Sequence, residues 1–326
     1  MVRIRLPLAP DPLAIVEPDA GPTRSLSAID PVQLMDLYKA HGAILLRGFA
    51  VDLGTFGKFC RTFCPTAAIN ESPGREVLGA DRAIQSVNTG ADPFPLHPEL
   101  AREAWKPDTA FFTCLSPPAT GGETTICDGI ELVRRLDPAV RDVLAQRRLI
   151  HIFPTWPALL EFWLGTADPD DAVLAAPPPT CPYRFHRLAG GAIVREFSRP
   201  ALHRPMFADE PAFGNFLLFA RDYVGRTDFP LLDDLQAVPE PWVTAVRQAG
   251  MACEFAVEWH QGDVLMLDNT RFMHGRRGIL DTAERRIATY FGFLKIAPHN
   301  PEEPPMPPWR EADFVPPLNP LIATQV

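Results

Sequence analysis

A histidine and a glutamate stand two residues apart, at His97 and Glu99, with Pro98 between them. In an extended chain, residues i and i+2 project to the same side, so both side chains can bind one metal ion. The motif alone predicts little, because about one H-x-[D/E] triplet is expected by chance with 8 His and 40 Asp and Glu in 326 residues. Proline cannot donate to a sheet ladder, so we expect the pair at a strand end or on an edge strand.

A third candidate ligand, His274, follows a strand-like segment at 263–269 and precedes two adjacent arginines, Arg285 and Arg286. Two histidines and one carboxylate occupy one face of an octahedral Fe(II) ion and leave three positions for a bidentate keto acid and O2. An arginine 12 residues beyond the distal histidine suits the far carboxylate of 2-oxoglutarate. Its planar fork makes a two-pronged salt bridge that lysine cannot copy. The conjunction predicts an iron site that uses a keto acid.

Only one of the two adjacent arginines can face inward, because side chains alternate along a strand. We expect Arg286 to be that residue, because it stands directly before the apolar segment 287–290. Arg285 is the alternative for the same role.

The order and spacing of these motifs resemble the taurine dioxygenase/clavaminate synthase (TauD/TfdA-like) family, and within it the branch that has a glutamate ligand and acts on amino acids. The similarity runs from about residue 40 to residue 295. Five segments carry it, at 42–49, 93–99, 121–124, 262–275 and 285–287. Each segment is short, but their order and spacing together are specific.

The resemblance implies a set of site residues. His97, Glu99 and His274 would bind Fe(II) and form the catalytic centre. The co-substrates would be 2-oxoglutarate and O2. Arg286 would hold the distal carboxylate of 2-oxoglutarate, and Thr124, which follows a Gly-Gly turn, would donate to the same carboxylate.

The resemblance also implies a reaction, the hydroxylation of a small molecule. We expect an amino acid or a derivative in specialised metabolism, either free or presented on a carrier protein. Desaturation, epoxidation and cyclisation at the same iron centre are the alternatives, and halogenation is disfavoured because related halogenases lack the carboxylate that Glu99 supplies. The segment 100–105 departs from the aromatic-rich stretch of the family branch, which affects the substrate pocket. Arg75 and Arg102 are candidates for holding a substrate carboxylate.

Apolar periodicity places the elements that position these residues. We expect helices at 31–41, 54–64, 130–147 and 240–249, with Asp30 capping the first and Gly250 ending the last. Short apolar runs predict strands at 43–46, 109–115, 149–153, 191–197, 216–220, 253–259, 263–267 and 286–294.

This pattern of short strands with outer helices predicts a mainly β fold. The family resemblance implies that its core is a double-stranded β-helix, the jelly roll of cupin-like proteins. We expect one domain over residues 1–326.

The composition limits the classes of partner. A net charge of -9 and a pI near 5.4 disfavour nucleic-acid binding, since phosphates would be repelled. No segment reaches the run of about 18 apolar residues that a membrane span needs. We recognise no export signal, so we expect a cytoplasmic protein whose six cysteines are thiols.

Proline accounts for 37 residues and clusters in a tail that begins at about residue 298. We expect this tail to cover the site or to form a homo-oligomer contact. Its Trp309 and Phe314 also suit a docking segment. That interpretation supports a different class of function, a non-catalytic jelly-roll protein that binds a small molecule or a partner.

Overall fold

The computed structural model describes residues 2–19, 24–72, 74–88, 90–280 and 285–317. Within these ranges the helices, in chain order, are α1 (Pro31–His41), α2 (Leu53–Phe63), α3 (Gly129–Arg135), α4 (Pro138–Leu144), α5 (Pro157–Leu164), α6 (Asp171–Ala175), α7 (Leu217–Asp222) and α8 (Glu240–Cys253). The strands are β1 (Val2–Arg5), β2 (Ala14–Pro18), β3 (Arg24–Ser25), β4 (Ala43–Leu46), β5 (Phe49–Ala50), β6 (Thr66–Ala67), β7 (Gln85–Ser86), β8 (Phe94–His97), β9 (Thr109–Ser116), β10 (Thr124–Asp128), β11 (Arg148–Pro154), β12 (Arg184–Arg187), β13 (Ile193–Pro200), β14 (Leu231–Leu232), β15 (Phe255–Val257), β16 (Val264–Asp268), β17 (Phe272–Arg276) and β18 (Arg286–Phe293). None of these helices is long and apolar enough to cross a membrane.

The largest sheet has the strand order β1-β2-β4-β16-β9-β18-β6, with β7 paired to β18. Its central strands β16, β9 and β18 are antiparallel and bury almost all of their residues. Strands buried on both faces read as continuous runs of apolar, β-branched and aromatic residues, and these three do. The sheet therefore lies in the middle of the molecule with other layers on both sides.

A smaller sheet, with the order β15-β10-β17-β8, carries the candidate metal ligands. In it, His274 of β17 lies opposite Ile126 of β10 on one side and His97 of β8 on the other. Strand β8 is the edge of this sheet and ends at His97, which confirms the position expected from Pro98. A separate sheet, β12-β13-β11-β14, accompanies these two, so the chain is a mixed α/β structure with several sheets.

The two main sheets pack face to face through one apolar cluster that includes Phe112 of the large sheet and Ile126 of the small one. The opposite face of the large sheet is covered by α1 and α2, whose Tyr38 and Phe56 are fully buried. Burial of such a side chain contributes about 1.5–3 kcal/mol. The apolar faces on both sides thus fix the sheet pair that positions the site.

Local signals predicted α1 correctly. The Asp30 carboxylate accepts a hydrogen bond from the backbone N–H of Val32 at 3.0 Å. At the other end, Gly42 adopts a left-handed φ of 74° and donates its N–H to the Tyr38 carbonyl at 2.7 Å. The predicted helix at 54–64 and strand at 43–46 are also confirmed as α2 and β4.

Two predicted helices have different bounds. The segment 130–147 forms two helices, α3 and α4, because Pro138 begins a new helix with Asp137 as its N-cap. The expected end at Gly250 is wrong, since α8 continues to Cys253. Gly250 is a packing glycine: a Cβ at this position would lie 3.2 Å from Cδ1 of Leu96.

The strand expected at 216–220 is wrong, because this segment begins α7. A short apolar run has the same periodicity in a buried strand and a buried helix, so only its packing decides. Here Phe216 and Leu217 are buried against neighbouring elements, and α7 packs on β8. This helix matters for the site, because it places aromatic rings beside His97.

The proline-rich tail packs on its own chain. Trp309 is fully buried and Phe314 is 6% exposed, and both belong to the cluster between the main sheets. Arg310 makes a two-pronged salt bridge to the buried Asp108, with N–O distances of 2.8 and 3.0 Å. The docking role expected for Trp309 and Phe314 is therefore wrong, and no residue from the described part of the tail lines the candidate site.

Candidate functional site

His97, Glu99 and His274 converge at one end of the small sheet. Their potential ligand atoms all lie within 4.8 Å of one another. The two imidazole centroids are 4.6 Å apart, and Nε2 of His274 lies 3.7 Å from Oε2 of Glu99. The cross-strand pairing of β8 with β17 brings the histidines together, although 176 residues of chain separate them.

The hydrogen bonds of His97 leave one ring nitrogen free to bind a metal. Nδ1 donates to the Pro95 carbonyl at 2.8 Å, so Nε2 is the atom that faces the other two ligands. Burial lowers the pKa of His97 below its usual value, despite the opposing effect of the Glu99 charge. Burial also holds the pKa of His274 well below its usual value. Both rings are therefore neutral near pH 7, which is the form that binds metal ions.

Glu99 is held at its side chain and at its backbone. The carboxylate is 97% buried and accepts hydrogen bonds from the Asn70 amide and from Nη2 of Arg75, the latter at 3.2 Å. The backbone N–H of Glu99 donates to Oδ1 of Asn269 at 2.8 Å, and Nδ2 of Asn269 donates back to the Glu99 carbonyl at 3.1 Å. The next residue, Leu100, has a φ of 51°, a strained value for a residue with a branched side chain.

The three side chains open into a cavity of about 90 Å³. Its wall combines several polar side chains, including four arginines, with a group of aromatic rings. The lining residues are Asn70, Ser72, Arg75, Val87, Asn88, Phe94, His97, Pro98, Glu99, Leu100, Arg102, Phe112, Thr124, Phe216, Phe219, His274, Gly275, Arg276 and Arg285.

Arg285, not Arg286, lies in this cavity. The Arg285 side chain is buried, and it donates from Nε to the Gly122 carbonyl at 2.6 Å and from Nη2 to Oγ1 of Thr124 at 3.2 Å. Gly122 allows this close approach, because a Cβ there would lie 2.9 Å from Cδ of Arg285. Thr124 is fixed further by the indole N–H of Trp259, which donates to the same hydroxyl at 3.0 Å.

The preference for Arg286 fails for a structural reason. Arg286 is exposed and pairs with Ser116 at the start of β18, outside the cavity. Along β18, Ile287 and Phe291 belong to the cluster between the two main sheets, whereas Ala288 and Tyr290 belong to the opposite cluster, so alternation places Arg285 on the cavity side and Arg286 away from it. The sequence offered both candidates, but β18 is apolar on both faces, so its pattern does not show which face lines the cavity.

The two arginines proposed for a substrate carboxylate differ in their surroundings. Arg102 lines the cavity with its side chain 33% exposed, and its Nε donates to Glu103 at 3.4 Å. Arg75 is 93% buried and bonds directly to Glu99. Arg102 is thus accessible to a ligand, whereas Arg75 is engaged with a candidate metal ligand.

Arg276 is a cavity residue that sequence reasoning missed. Its guanidinium lies 4.4 Å from the centroid of Phe94 and donates to the carbonyls of Asn88, Gly90 and Asp92 at 2.8, 3.0 and 2.6 Å. It stands two residues after His274 on the same strand, so strand alternation would have placed both side chains on one face. Arg276 ties the loop around residue 90 to the strand that carries His274.

Two histidines and one carboxylate beside a buried arginine are typical of iron oxygenases that chelate a keto acid. Residues 7–290 match the family model described as taurine catabolism dioxygenase TauD, TfdA family, so the chain belongs to this family. It is an enzyme, a 2-oxoglutarate-dependent oxygenase with Fe(II) and 2-oxoglutarate as cofactor and co-substrate. This confirms the enzymatic prediction over the non-catalytic binding protein.

Solved structures share the fold at low sequence identity. PvcB from Pseudomonas aeruginosa superposes with a TM-score of 0.60 at 17% identity, covering 92% of this chain and 94% of that one. An α-ketoglutarate-dependent taurine dioxygenase from Burkholderia xenovorans, described as putative, gives 0.58 at 13% identity, covering 93% and 96%. AAD-2 in complex with Mn(II) and N-oxalylglycine gives 0.57 at 11% identity, covering 92% and 100%. No curated protein matches the chain by sequence.

Proposed function

We propose that this enzyme hydroxylates a small molecule, an amino acid or an amino-acid derivative, with Fe(II) bound by His97, Glu99 and His274. The observation that carries the proposal is the convergence of these three donors in the cavity that also contains the Arg285–Thr124 pair. We further propose that the two main sheets form the double-stranded β-helix and that the chain is one catalytic domain. The sheet pair and its shared core support that description.

The donor set fits Fe(II). Two neutral imidazoles and one carboxylate are the ligand types that Fe(II) takes in a facial arrangement, and they leave positions open for a keto acid and O2. The chain supplies the two imidazoles from sheet positions, since His97 ends β8 and His274 lies within β17, and it supplies the carboxylate from the turn directly after β8. Sites built on regular elements hold ligand geometry more precisely than sites on loops.

Arg285 and Thr124 are proposed to hold the distal carboxylate of 2-oxoglutarate. The guanidinium of Arg285 is buried, and its two hydrogen bonds described above go to neutral groups, the Gly122 carbonyl and the Thr124 hydroxyl. The distal carboxylate of 2-oxoglutarate would therefore supply its counter-charge. Burial lowers the pKa of Arg285 to about 10, which leaves the guanidinium charged near pH 7. A two-pronged pair of this kind gives both affinity and orientation.

When bound, iron and 2-oxoglutarate supply the oxidising chemistry. In the overall reaction, one O2 and one 2-oxoglutarate give succinate and CO2, and one oxygen atom is inserted into a substrate C–H bond. The chain contributes position: its cavity orients the bond to be oxidised and keeps water away from it. Product mass distinguishes hydroxylation from desaturation, epoxidation and cyclisation.

Arg102 is proposed to hold the substrate carboxylate. It is the cavity arginine whose side chain is partly exposed and whose described ion pair, to Glu103, is long at 3.4 Å. The rings of Phe94, Phe216 and Phe219 give the same cavity an apolar wall. This combination suits a molecule with an acidic group and an apolar body, and a carrier-bound amino acid would lack the free carboxylate that Arg102 requires.

The first test is an anaerobic titration with Fe(II) and 2-oxoglutarate, followed by the weak visible charge-transfer band of a chelated keto acid. We expect the band in the native enzyme and its loss in His97→Ala. A screen of free amino acids for coupled succinate release then identifies the substrate class. If iron binds but no band develops, the keto-acid assignment fails. If only a carrier-bound substrate stimulates succinate release, the role of Arg102 fails.

A further inference from the structure

The carboxylate of Glu99 has a hydrogen-bond donor on each oxygen. The Asn70 amide donates to Oε1, and Nη2 of Arg75 donates to Oε2 at 3.2 Å. Oε2 is also the oxygen that lies 3.7 Å from Nε2 of His274, so it faces that candidate ligand. A carboxylate held in this way can neither rotate freely nor offer both oxygens symmetrically to one ion.

Arg75 is itself immobilised. Nε donates to Oδ1 of Asn88 at 3.0 Å, and Nη1 donates to Oγ1 of Thr289 at 3.2 Å and to the Ser86 carbonyl at 3.4 Å. The guanidinium also lies 5.2 Å from the ring centroid of Phe291, a cation–π distance. Three hydrogen-bond acceptors and one aromatic ring, from two parts of the chain, therefore fix its position beside Glu99.

Asn70 is also held in place by several hydrogen bonds. Its backbone N–H donates to Oε1 of Gln85 at 3.1 Å, and its side-chain oxygen accepts from the backbone N–H and hydroxyl of Ser72 at 2.9 and 2.6 Å. These bonds turn the Asn70 amide N–H toward Glu99. An ion pair that only balanced the charge of Glu99 would need a single donor. This buried carboxylate instead has two donors, Asn70 and Arg75, and each is held in place independently.

We propose that Arg75 and Asn70 are positioning residues that hold Glu99 for the metal, and that the Arg75 charge favours the ferrous state of the centre. The inference rests on the proposed function, since it assumes that Glu99 binds iron. Orientation follows from the two hydrogen bonds. The redox effect follows from Coulomb's law, because a fixed positive charge beside a ligand disfavours an added positive charge on the metal.

Arg75 then acts on the metal ligand Glu99 and does not hold the substrate carboxylate. A guanidinium that held the substrate carboxylate would affect catalysis only when substrate is present. A guanidinium that positions Glu99 must affect the metal in the absence of both substrate and 2-oxoglutarate. Metal binding to the otherwise ligand-free enzyme therefore separates the two roles.

Three variants separate orientation from charge. Asn70→Ala removes one hydrogen bond and leaves the charge, Arg75→Lys keeps the charge but loses the planar fork, and Arg75→Gln removes the charge. Arg286→Gln is the control, because it removes an arginine that is exposed and lies outside the cavity. Circular dichroism and thermal melting establish whether each metal-free variant is folded.

The measurements are an anaerobic calorimetric titration with Fe(II) alone and the midpoint potential of the bound Fe(III)/Fe(II) couple. We expect Arg75→Gln and Asn70→Ala to weaken Fe(II) binding by about 10–100-fold, the usual effect of losing an outer partner of a ligand. The potential should fall in Arg75→Gln and stay near the native value in Arg75→Lys, Asn70→Ala and Arg286→Gln.

Native affinity and potential in a folded Arg75→Gln variant would overturn the proposal, and a change confined to the substrate KM would assign Arg75 to the substrate instead. If Arg75→Gln does not fold, Asn70→Ala decides, and native Fe(II) affinity in that variant overturns the positioning role. A native enzyme that binds no Fe(II) contradicts the proposed function itself, which is a distinguishable result.

Discussion

His97 and His274 are directly opposed residues of the β8–β17 ladder, with imidazole centroids 4.6 Å apart. Backbone pairing sets this distance, and the Pro95 carbonyl sets the orientation of one ring. Glu99 is fixed separately, through Asn269 on the turn after β16. The ligand positions thus follow from the small sheet and one turn.

Replacing either histidine should abolish turnover without unfolding the chain. We expect His97→Ala and His274→Ala to lose more Fe(II) affinity than the roughly 10–100-fold that the loss of an outer hydrogen-bond partner costs. His260→Ala is the control, because this histidine is exposed and outside the cavity. Anaerobic Fe(II) titration with circular dichroism checks the prediction, and full activity in either cavity variant contradicts it.

Arg285 and Arg286 allow a matched comparison, because one lies in the cavity and its neighbour lies outside it. Arg285→Ala should raise the KM for 2-oxoglutarate by roughly 30-fold or more, since truncating one partner of a buried charge pair costs about 2 kcal/mol or more. Arg286→Ala should leave that KM unchanged, because the side chain is exposed outside the cavity. Initial rates at varied 2-oxoglutarate concentration measure both, and an effect of Arg286→Ala alone would restore the interpretation from sequence.

The features that could be predicted from the sequence are those that depend on local signals or on strong residue patterns. Asp30 and Gly42 mark the ends of α1, and the sequence singled out His97, Glu99 and His274, which the structure brings together as a candidate metal site. The choice between Arg285 and Arg286 depends on which face of β18 points toward the small sheet, and a strand that is apolar on both faces does not reveal this in its sequence.

Residues that depend on long-range contacts were also missed. Asn70 reaches Glu99 across 29 residues of chain. An asparagine in a loop has no distinguishing pattern, so its role emerges only from the packed structure. The same holds for α7, where tertiary packing made a helix of an apolar run that also fits a strand.

His203, a partly buried histidine outside the site, should make stability depend on pH. Burial lowers the pKa of His203 to about 3, and the nearby positive charge of Lys106 acts in the same direction. The unfolded chain therefore binds a proton near pH 6.5 that the folded chain does not bind until about pH 3. The neutral form of His203 therefore contributes fully to the free energy of unfolding above pH 6.5, and this contribution is lost as the pH falls below 6.5.

The unfolded chain binds a proton at His203 between pH 7.5 and pH 5.5, whereas the folded chain does not. This difference alone should make the free energy of unfolding about 1.4 kcal/mol lower at pH 5.5 than at pH 7.5. His203→Asn removes the titrating group, so its free energy of unfolding should fall by about that much less over the same interval. Urea denaturation of both proteins at the two pH values measures the difference. Equal pH dependence in the two proteins would show that His203 is not buried in its neutral form.

The tail should act as part of the core. Trp309 is fully buried and contacts the Trp105 and Phe314 rings, with centroid distances of 6.5 and 5.9 Å. Trp309→Ala should lower the free energy of unfolding by about 3–5 kcal/mol, the usual cost of removing a buried tryptophan. Met306→Ala is the control, because Met306 is 56% exposed in the same segment.

Denaturant unfolding of the metal-free protein measures this effect without involving the site. Fe(II) affinity at a temperature where both variants are folded should match that of the native enzyme, because the described part of the tail contributes no residue to the cavity. A Trp309→Ala variant with native stability and a changed oligomeric state would indicate instead that the tail forms a contact between copies of the chain. Native stability without such a change would mean that Trp309 is not packed in the core.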